Sequence, residues 1–542
     1  MASNIPLTCL QWQVSPESTW ARDVDECERF YITSSRKENG CFPVSGCASF
    51  NVNPDDSMPT IDEENRVEAA LKKAWITLRY QHPNLGSRIE HDEDGDRLRR
   101  VYRSFDTDDE QESWVGSTVK VVDTDLGPLE WFNNNTAAAF ETATVFFVRS
   151  KGQGSDRRTI FLRCPHDVSD GVGVLQLVNQ LFDYAAMAFE QGDEYSLPKW
   201  GKEHENLSPC IRIAAKMPES LTEAQTKRLE EIQTQNGTIY KHQGLLALPS
   251  RPTIADGVVK DSKLIRLSHT VPKDLTSQIL RGCKDVASGV SVTHVFMSAL
   301  AMALSEVQPQ KEDSYPVRYV NHSMINLRPY CGEPYDTPAH AAAAYHTIST
   351  QALGVDLVVP GSSDQTTGDH AAEMRRILPQ VQDFFNDIRP VPSEEIHEQV
   401  AFAPSTFESF TSPSGVDPHA VSEPPFCPVA LSSIGNVSFM VQQSHGPFKL
   451  ASVWAASEPM GAGVALFLGS WDGQLELSGV FDTRYHEPGY VGSFLERILI
   501  CVRGGLGIDE ISSTDEVKPA ESPHDRKRKR AESDHRVGPC EV

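Results

Sequence analysis

The stretch TIFLRCPHDVSDGVGVLQLVNQLFDYAAMA, Thr159–Ala188, decides the reading of this chain. Thr159–Arg163 is β-branched and apolar enough for a strand. It runs straight into PHDVSDGVG, a break rich in turn residues. Beyond the break, Val174, Leu175, Leu177, Val178, Leu181, Phe182 and Ala185 predict a helix over Val172–Ala188 with a broad apolar face. His166 leaves the strand where its imidazole can meet a cleft, and Asp170 sits four residues on, in the following turn. Gly171-Val-Gly173 lets the backbone bend sharply and approach a ligand. An imidazole near its unperturbed pKa is the natural general base at neutral pH. It could take a proton from an alcohol or amine as that group attacks an acyl carbon. No protein nucleophile is needed if the acyl group arrives as a thioester. On spacing alone the pattern is weak, since a lone His beside a capping Asp also reads as structural.

Outward from this motif, a hairpin partner is expected at Thr144–Val148, joined through the turn-forming KGQGSDRR. Val67, Leu71, Ala74, Trp75 and Leu78 predict an amphipathic helix over Val67–Tyr80 that stops before His82-Pro83. From about Gln191 to Lys260 the chain is polar and irregular, with a helical patch near Glu219–Glu231. A second unit follows: a strand at Leu264–Pro272, helices at Pro272–Cys283 and Val292–Leu304, and a strand-like run at Arg318–Leu327. Val437–Val441, Gly463–Gly469 and Leu475–Phe481 read as strands and Tyr490–Cys501 as a closing helix. Val358–His370 and Val391–Pro425 are rich in Pro, Ser, Thr, Gly and Asp and read as long surface loops. The expected organisation is an N-terminal lobe at 1–200, an inter-lobe linker at 201–260, a C-terminal lobe at 261–510 and a disordered tail at 511–542. Mixed strands and helices in two similar units predict an α/β protein with a cleft between lobes.

Composition narrows the function. The chain has 542 residues and 39% hydrophobic content, enough for two sizeable cores. With 75 acidic and 50 basic residues its net charge is -25, which argues against gripping nucleic acid or an anionic membrane. No signal peptide and no membrane span are readable. The 11 cysteines include no CxxC pair and read as reduced thiols of a cytoplasmic protein, with Cys164 a buried, inert one. No metal site is expected. The basic run Arg526–Arg530 is either a nuclear localisation signal or a solvated tail. Phosphate-loop, zinc-helix and nucleophile-elbow motifs are absent from the sequence.

Four segments together resemble the His-x-x-x-Asp acyltransferase superfamily, which includes peptide-synthetase condensation domains, plant BAHD enzymes and fungal trichothecene O-acetyltransferases. They are LKKAWITLRYQHPNLGSRI at Leu71–Ile89, HDVSDG at His166–Gly171, VTHVFMSALAMAL with a later strand ending Asn326-Leu327-Arg328-Pro329, and LSSIGNVSF to WDGQLELSGVFDTR within Leu431–Arg484. The resemblance covers roughly Leu71–Cys501, and in overall look it is nearest the trichothecene 15-O-acetyltransferase branch. It implies a two-lobe, condensation-like (chloramphenicol-acetyltransferase-like) α/β fold with a substrate tunnel between the lobes. It further implies an O-acyltransferase working as a monomer, with acetyl-CoA or another acyl-CoA as co-substrate, no permanently bound cofactor, and a hydrophobic terpenoid- or polyketide-like alcohol as acceptor. His166 would be the base. Asp170 would pair with Arg328 to hold the motif, and Gly171 would supply the bend. Ser433 and Gly435 match a segment near the tunnel, as contacts to acyl-CoA or the intermediate; on their own they read as a strand-end turn. Two departures bear on the branch. Pro165 stands where condensation domains usually have a first histidine, and the Asp-Phe-Gly-Trp-Gly motif of BAHD enzymes is missing. A carrier-protein-dependent condensing enzyme and a catalytically idle binding protein are the alternatives.

Overall fold

The computed structural model describes residues 5–508 apart from 16–18, 37–39, 53–59, 92–96, 136–139, 152–156, 253, 256–257, 260–261, 363–368 and 390–395. The tail expected at 511–542, with Arg526–Arg530, lies outside the described residues.

The strand read from Thr159–Arg163 spans Arg158–Pro165 and is buried along its length. It sits inside a sheet ordered Ser444–His445, Phe448–Ser457, Pro43–Val52, Arg158–Pro165, Thr144–Ser150 and Val119–Thr124. One face carries the motif helix, Gly171–Gln191, and the helix Thr60–Gln81, whose Leu71, Trp75 and Leu78 are buried with Val174, Leu177 and Phe182. The other face is covered by Trp131 and Phe132 against Phe161 and Trp454. The LKKAW…RYQHP segment is thus scaffold. Trp75 donates to Thr118 at 2.9 Å and His82 meets Gln180 at 2.9 Å on the motif helix.

A second sheet has the order Leu264–Thr270, Gln474–Asp482, Val464–Trp471, Val429–Asn436, the last pair parallel. Helices Val292–Glu306, His370–Ile388 and Pro488–Gly505 share its core through Phe296, Ile377 and Phe494. Val292–Glu306 is buried nearly all round, which explains its almost unbroken apolar sequence.

Several expectations are corrected. The strand placed at Val437–Val441 lies earlier, at Val429–Asn436. There Val429 and Leu431 alternate inward, and the Asn436 side chain accepts from Ser438 N to start a 3-10 turn at Val437–Phe439. The loop expected at Val391–Pro425 contains helices Glu398–Ala401 and Ala403–Phe410, which bury Val400 and Phe407; Pro404 falls in the first turn of the second, where proline is tolerated. The loop at Val358–His370 is bounded by a strand ending at Val359 and a helix opening at His370 with Asp369 as its cap. In the 201–260 stretch, Leu207, Cys210, Ile211 and Arg212 are buried, and the helix runs Glu223–Tyr240, started by a Thr222/Gln225 capping box. The run at Arg318–Leu327 is two strands, Tyr315–Asn321 and Met324–Asn326, interrupted at His322. Phe448–Ser457, from the stretch assigned to the C-terminal lobe, pairs with Pro43–Val52 in the other sheet, Ala455 opposite Gly46. Every described cysteine is a free thiol, and Cys164 is buried, its pKa pushed up by desolvation. Among the described residues no helix is long and apolar enough to cross a membrane.

Candidate active site

A cavity of about 320 Å³ opens between the two sheets. His166, Asp170, Gly171, Arg328 and Ser433 all line it, together with Phe30, Phe42, Ile325, Leu431, Ile434 and Phe467. Its walls are mainly apolar, with polar groups such as His166, Arg328 and His346 among the lining residues, as small-molecule sites commonly are. A narrower crevice shares Ile434, Ala455 and Phe467 with it and continues between the sheets.

His166 is the first residue past the Arg158–Pro165 strand, and its amide donates to Phe42 O at 2.7 Å. The residue is 9% exposed, and its Nδ1 is buried without a hydrogen-bond partner. Burial, with His346 nearby, lowers its pKa from 6.5 to about 3, so the imidazole is neutral at pH 7.

Asp170 caps the motif helix, accepting from Gly173 N at 2.8 Å. Its two oxygens take hydrogen bonds from Arg328 Nη1 at 2.8 and 2.7 Å, and Oδ2 a third from Tyr345 N at 2.8 Å. Burial raises its pKa, but Arg328 outweighs this, with help from His346, and the carboxyl stays well below the usual range. Arg328 opens a 3-10 turn after the Met324–Asn326 strand, and its Nη2 also donates to Ala343 O at 2.8 Å. Asp170 and Arg328 are therefore a closed, buried pair behind His166.

The glycines divide differently from expectation. Gly171 has no left-handed backbone, and a Cβ there would meet only Ile434 Cδ1, at 3.3 Å. Gly173 is the position where only glycine fits. Its Cβ would lie 2.3 Å from Ala341 O, 2.5 Å from Ser169 Oγ and 2.7 Å from Arg328 Nη2. Gly171 instead keeps the cavity floor open at the helix N-terminus, where its amide and that of Val172 have no intrahelical acceptor. Ser433 lines the mouth and shares a 2.8 Å hydrogen bond with Thr293. Gly435 is not among the cavity-lining residues. It has φ +82 just past the bulge between Ser433 and Gly435, where pairing with Val464–Trp471 resumes as Gly435 opposite Gly469.

Other residues at this end were not singled out from sequence. The ring of Tyr31, on the helix Glu26–Thr33, stacks flat on His166 with centroids 3.9 Å apart and planes 2° from parallel. His346 lies 5.5 Å from His166, centroid to centroid. Asp167 accepts from Arg100 at 2.6 Å; Arg100 reaches Glu28 at 2.9 Å, and Glu28 forms a bidentate pair with Arg22 at 2.7 Å. This buried chain of alternating charge ties the Tyr31 helix to the motif turn. The one signal available for it was Asp25-x-x-Glu28, a capping box that starts the Tyr31 helix.

No family model matches the chain. Two curated fungal proteins of Monascus ruber are similar to it. Acetyltransferase pigO is 28% identical over 281 residues, 51% of this chain and 54% of that protein. O-acetyltransferase pigM is 25% identical over 361 residues, 64% of this chain and 62% of that protein. The chain thus spans less than two thirds of either relative's length. Among solved structures, TRI3 trichothecene 15-O-acetyltransferase from Fusarium sporotrichioides superposes with a TM-score of 0.74 at 15% identity, covering 92% of this chain and 99% of that one. The first condensation domain of the calcium-dependent antibiotic synthetase does so with 0.55 at 11% identity, covering 90% and 96%. With the six-stranded sheet and the sheet of Leu264–Thr270, Gln474–Asp482, Val464–Trp471 and Val429–Asn436 flanking the cavity, the chain has the two-lobe, condensation-like α/β fold of these solved structures.

Proposed function

We propose that the protein is an O-acyltransferase that moves an acyl group, acetyl being the first choice, from acyl-CoA to a hydroxyl of a hydrophobic terpenoid- or polyketide-like metabolite. The observation that carries this reading is a neutral, buried imidazole, His166, at the end of an apolar cavity beside the first-turn amides of the motif helix. The similarity to the two Monascus acetyltransferases supports the acetyl group, and the apolar walls support a hydrophobic acceptor.

In this mechanism the ring edge of His166 that faces the cavity takes the proton of the acceptor hydroxyl. The oxygen attacks the thioester carbonyl, and the developing oxyanion is met by amides at Gly171 and Val172, with Ser433 at the mouth as a further donor. Protonated His166 returns its proton to the leaving thiolate. The pair Asp170–Arg328 holds the turn and exchanges no proton with either substrate. Acyl-CoA is a co-substrate, and its slender arm would run in the crevice between the sheets.

The test is the purified full-length protein with acetyl-CoA, or longer acyl-CoA, and a panel of terpenoid and polyketide alcohols. Release of free CoA and an acyl ester detected by mass spectrometry are expected. Turnover only of a carrier-bound thioester would overturn the acyl-CoA assignment, and no transfer from either donor would overturn the enzyme reading.

A further inference from the structure

The Tyr31 ring packs among Phe30, Phe42 and Phe407 and on His166, an apolar setting that does not itself call for a hydroxyl. The hydroxyl therefore needs its own explanation, because a buried polar group without a partner is destabilising. Its partner is His346, whose Nε2 lies 2.7 Å from the Tyr31 oxygen. The other nitrogen of His346, Nδ1, faces Asp170 Oδ2 at 3.6 Å, an ion-pair distance rather than a hydrogen bond. His346 follows Tyr345, whose amide donates to the same carboxylate oxygen, so one strand end delivers both groups.

His346 Nδ1 is buried without a hydrogen-bond partner, and the group it faces is the Asp170 carboxylate, which gives this chain a preferred direction. An ionised carboxylate only accepts, so the tautomer with the ring proton on the nitrogen facing it is the favoured one. Nε2 then holds a lone pair and accepts from the Tyr31 hydroxyl. We propose that Asp170, His346 and Tyr31 form a positioning chain for His166: Asp170 sets the tautomer of His346, His346 fixes the Tyr31 hydroxyl, and the Tyr31 ring holds the His166 imidazole in its plane. Asp170 thus serves two arms, Arg328 on the scaffold side and His346 on the imidazole side. Neither Tyr31 nor His346 exchanges a proton with substrate. The role assigned to His166 rests on the acyltransferase reading, whereas the His346 tautomer does not.

The experiment uses full-length protein labelled with [15N]histidine. Long-range proton–nitrogen spectra report which ring nitrogen carries hydrogen, and the His346 signals are assigned by their loss in His346→Phe. The expected spectrum has Nδ1 protonated and Nε2 bare. Tyr31→Phe, which keeps the stacked ring, should move the His346 Nε2 resonance toward that of a free unprotonated nitrogen and shift the His166 resonances as well. With the acceptor found by the panel above, Tyr31→Phe should lower kcat about tenfold, the order expected when a base loses its alignment, with KM for acetyl-CoA unchanged. Tyr31→Leu should lose more. A protonated Nε2 in His346 would overturn the chain. So would Tyr31→Phe with unmoved His166 resonances, or with wild-type kcat. If the wild type transfers no acyl group, the acyltransferase reading fails, and the spectra alone still decide the arrangement.

Discussion

Neutral His166 carries the residue-scale consequences. Its folded pKa, about 3, lies below the ordinary 6.5, because burial disfavours the imidazolium. The base therefore stays unprotonated as pH falls through 6.5, and kcat/KM is expected to stay level from pH 8 to 5.5. A pH–rate profile with an acid limb near 6.5 would contradict this. His166→Ala should cost on the order of a hundredfold or more in kcat, with the circular dichroism spectrum unchanged. Behind it, Asp170→Asn and Arg328→Ala each strand a buried charge, and each should cost about 3–5 kcal/mol in denaturant unfolding. The double variant should lose less than the sum of the two, because no buried charge is then left without its counter-charge. Glu26 gives the opposite pH sign from a salt-bridged carboxylate. Burial, with Asp25 adding, raises its pKa from 4.5 to about 7 despite Arg212 at 3.1 Å. Its contribution to stability is complete below pH 4.5 and is lost as pH rises through 7. Glu26→Gln should therefore stabilise the protein at pH 8 by about 2 kcal/mol, with the gap closing toward pH 5, as read from melts across that range.

The N-terminus of the motif helix separates two glycines that look alike in the sequence. Gly173→Ala forces a methyl into Ala341 O, a backbone atom that cannot swing away. It should unfold the protein or leave it aggregated on expression. Gly171→Ala meets one flexible isoleucine tip, so the variant should fold, with a raised KM as the cavity floor narrows. Thermal melts and steady-state kinetics on the pair check both outcomes. This contrast also marks what was legible in the sequence. The helix could be read because its apolar spacing is local, and Asp170 with Arg328 because a buried carboxylate demands a cation and the family resemblance named the strand that brings one. The bend was assigned to Gly171 because spacing cannot tell conformational need from steric need; only the approach of Ala341 does. Tyr31, His346 and Arg100 stayed hidden because each is a single residue brought in by tertiary contact from a distant element. Glu398–Ala401 and Ala403–Phe410 were missed because their turn-forming composition outweighs a short apolar stripe that buries Val400 and Phe407.

On the scale of the whole molecule, Phe448–Ser457 decides how independent the lobes are. It lies beside Pro43–Val52 with Val453 and Ala455 buried, so a chain ending near 260 lacks a neighbour for that strand. Residues 1–260 expressed alone should be aggregated or unfolded by size-exclusion chromatography and circular dichroism, and supplying 261–542 in trans should recover soluble protein. A monodisperse, folded 1–260 fragment would refute this. The same strand has a consequence during synthesis. Pro43–Val52 leaves the ribosome well before Phe448–Ser457, the segment that covers its edge. At roughly 5–20 residues per second the wait is on the order of 20–80 s. For that interval the nascent chain displays an unpaired, largely apolar edge, the kind of surface that recruits other strands. Yield in a heterologous host should then depend less on final stability than on how well chaperones shield that edge until translation reaches residue 457.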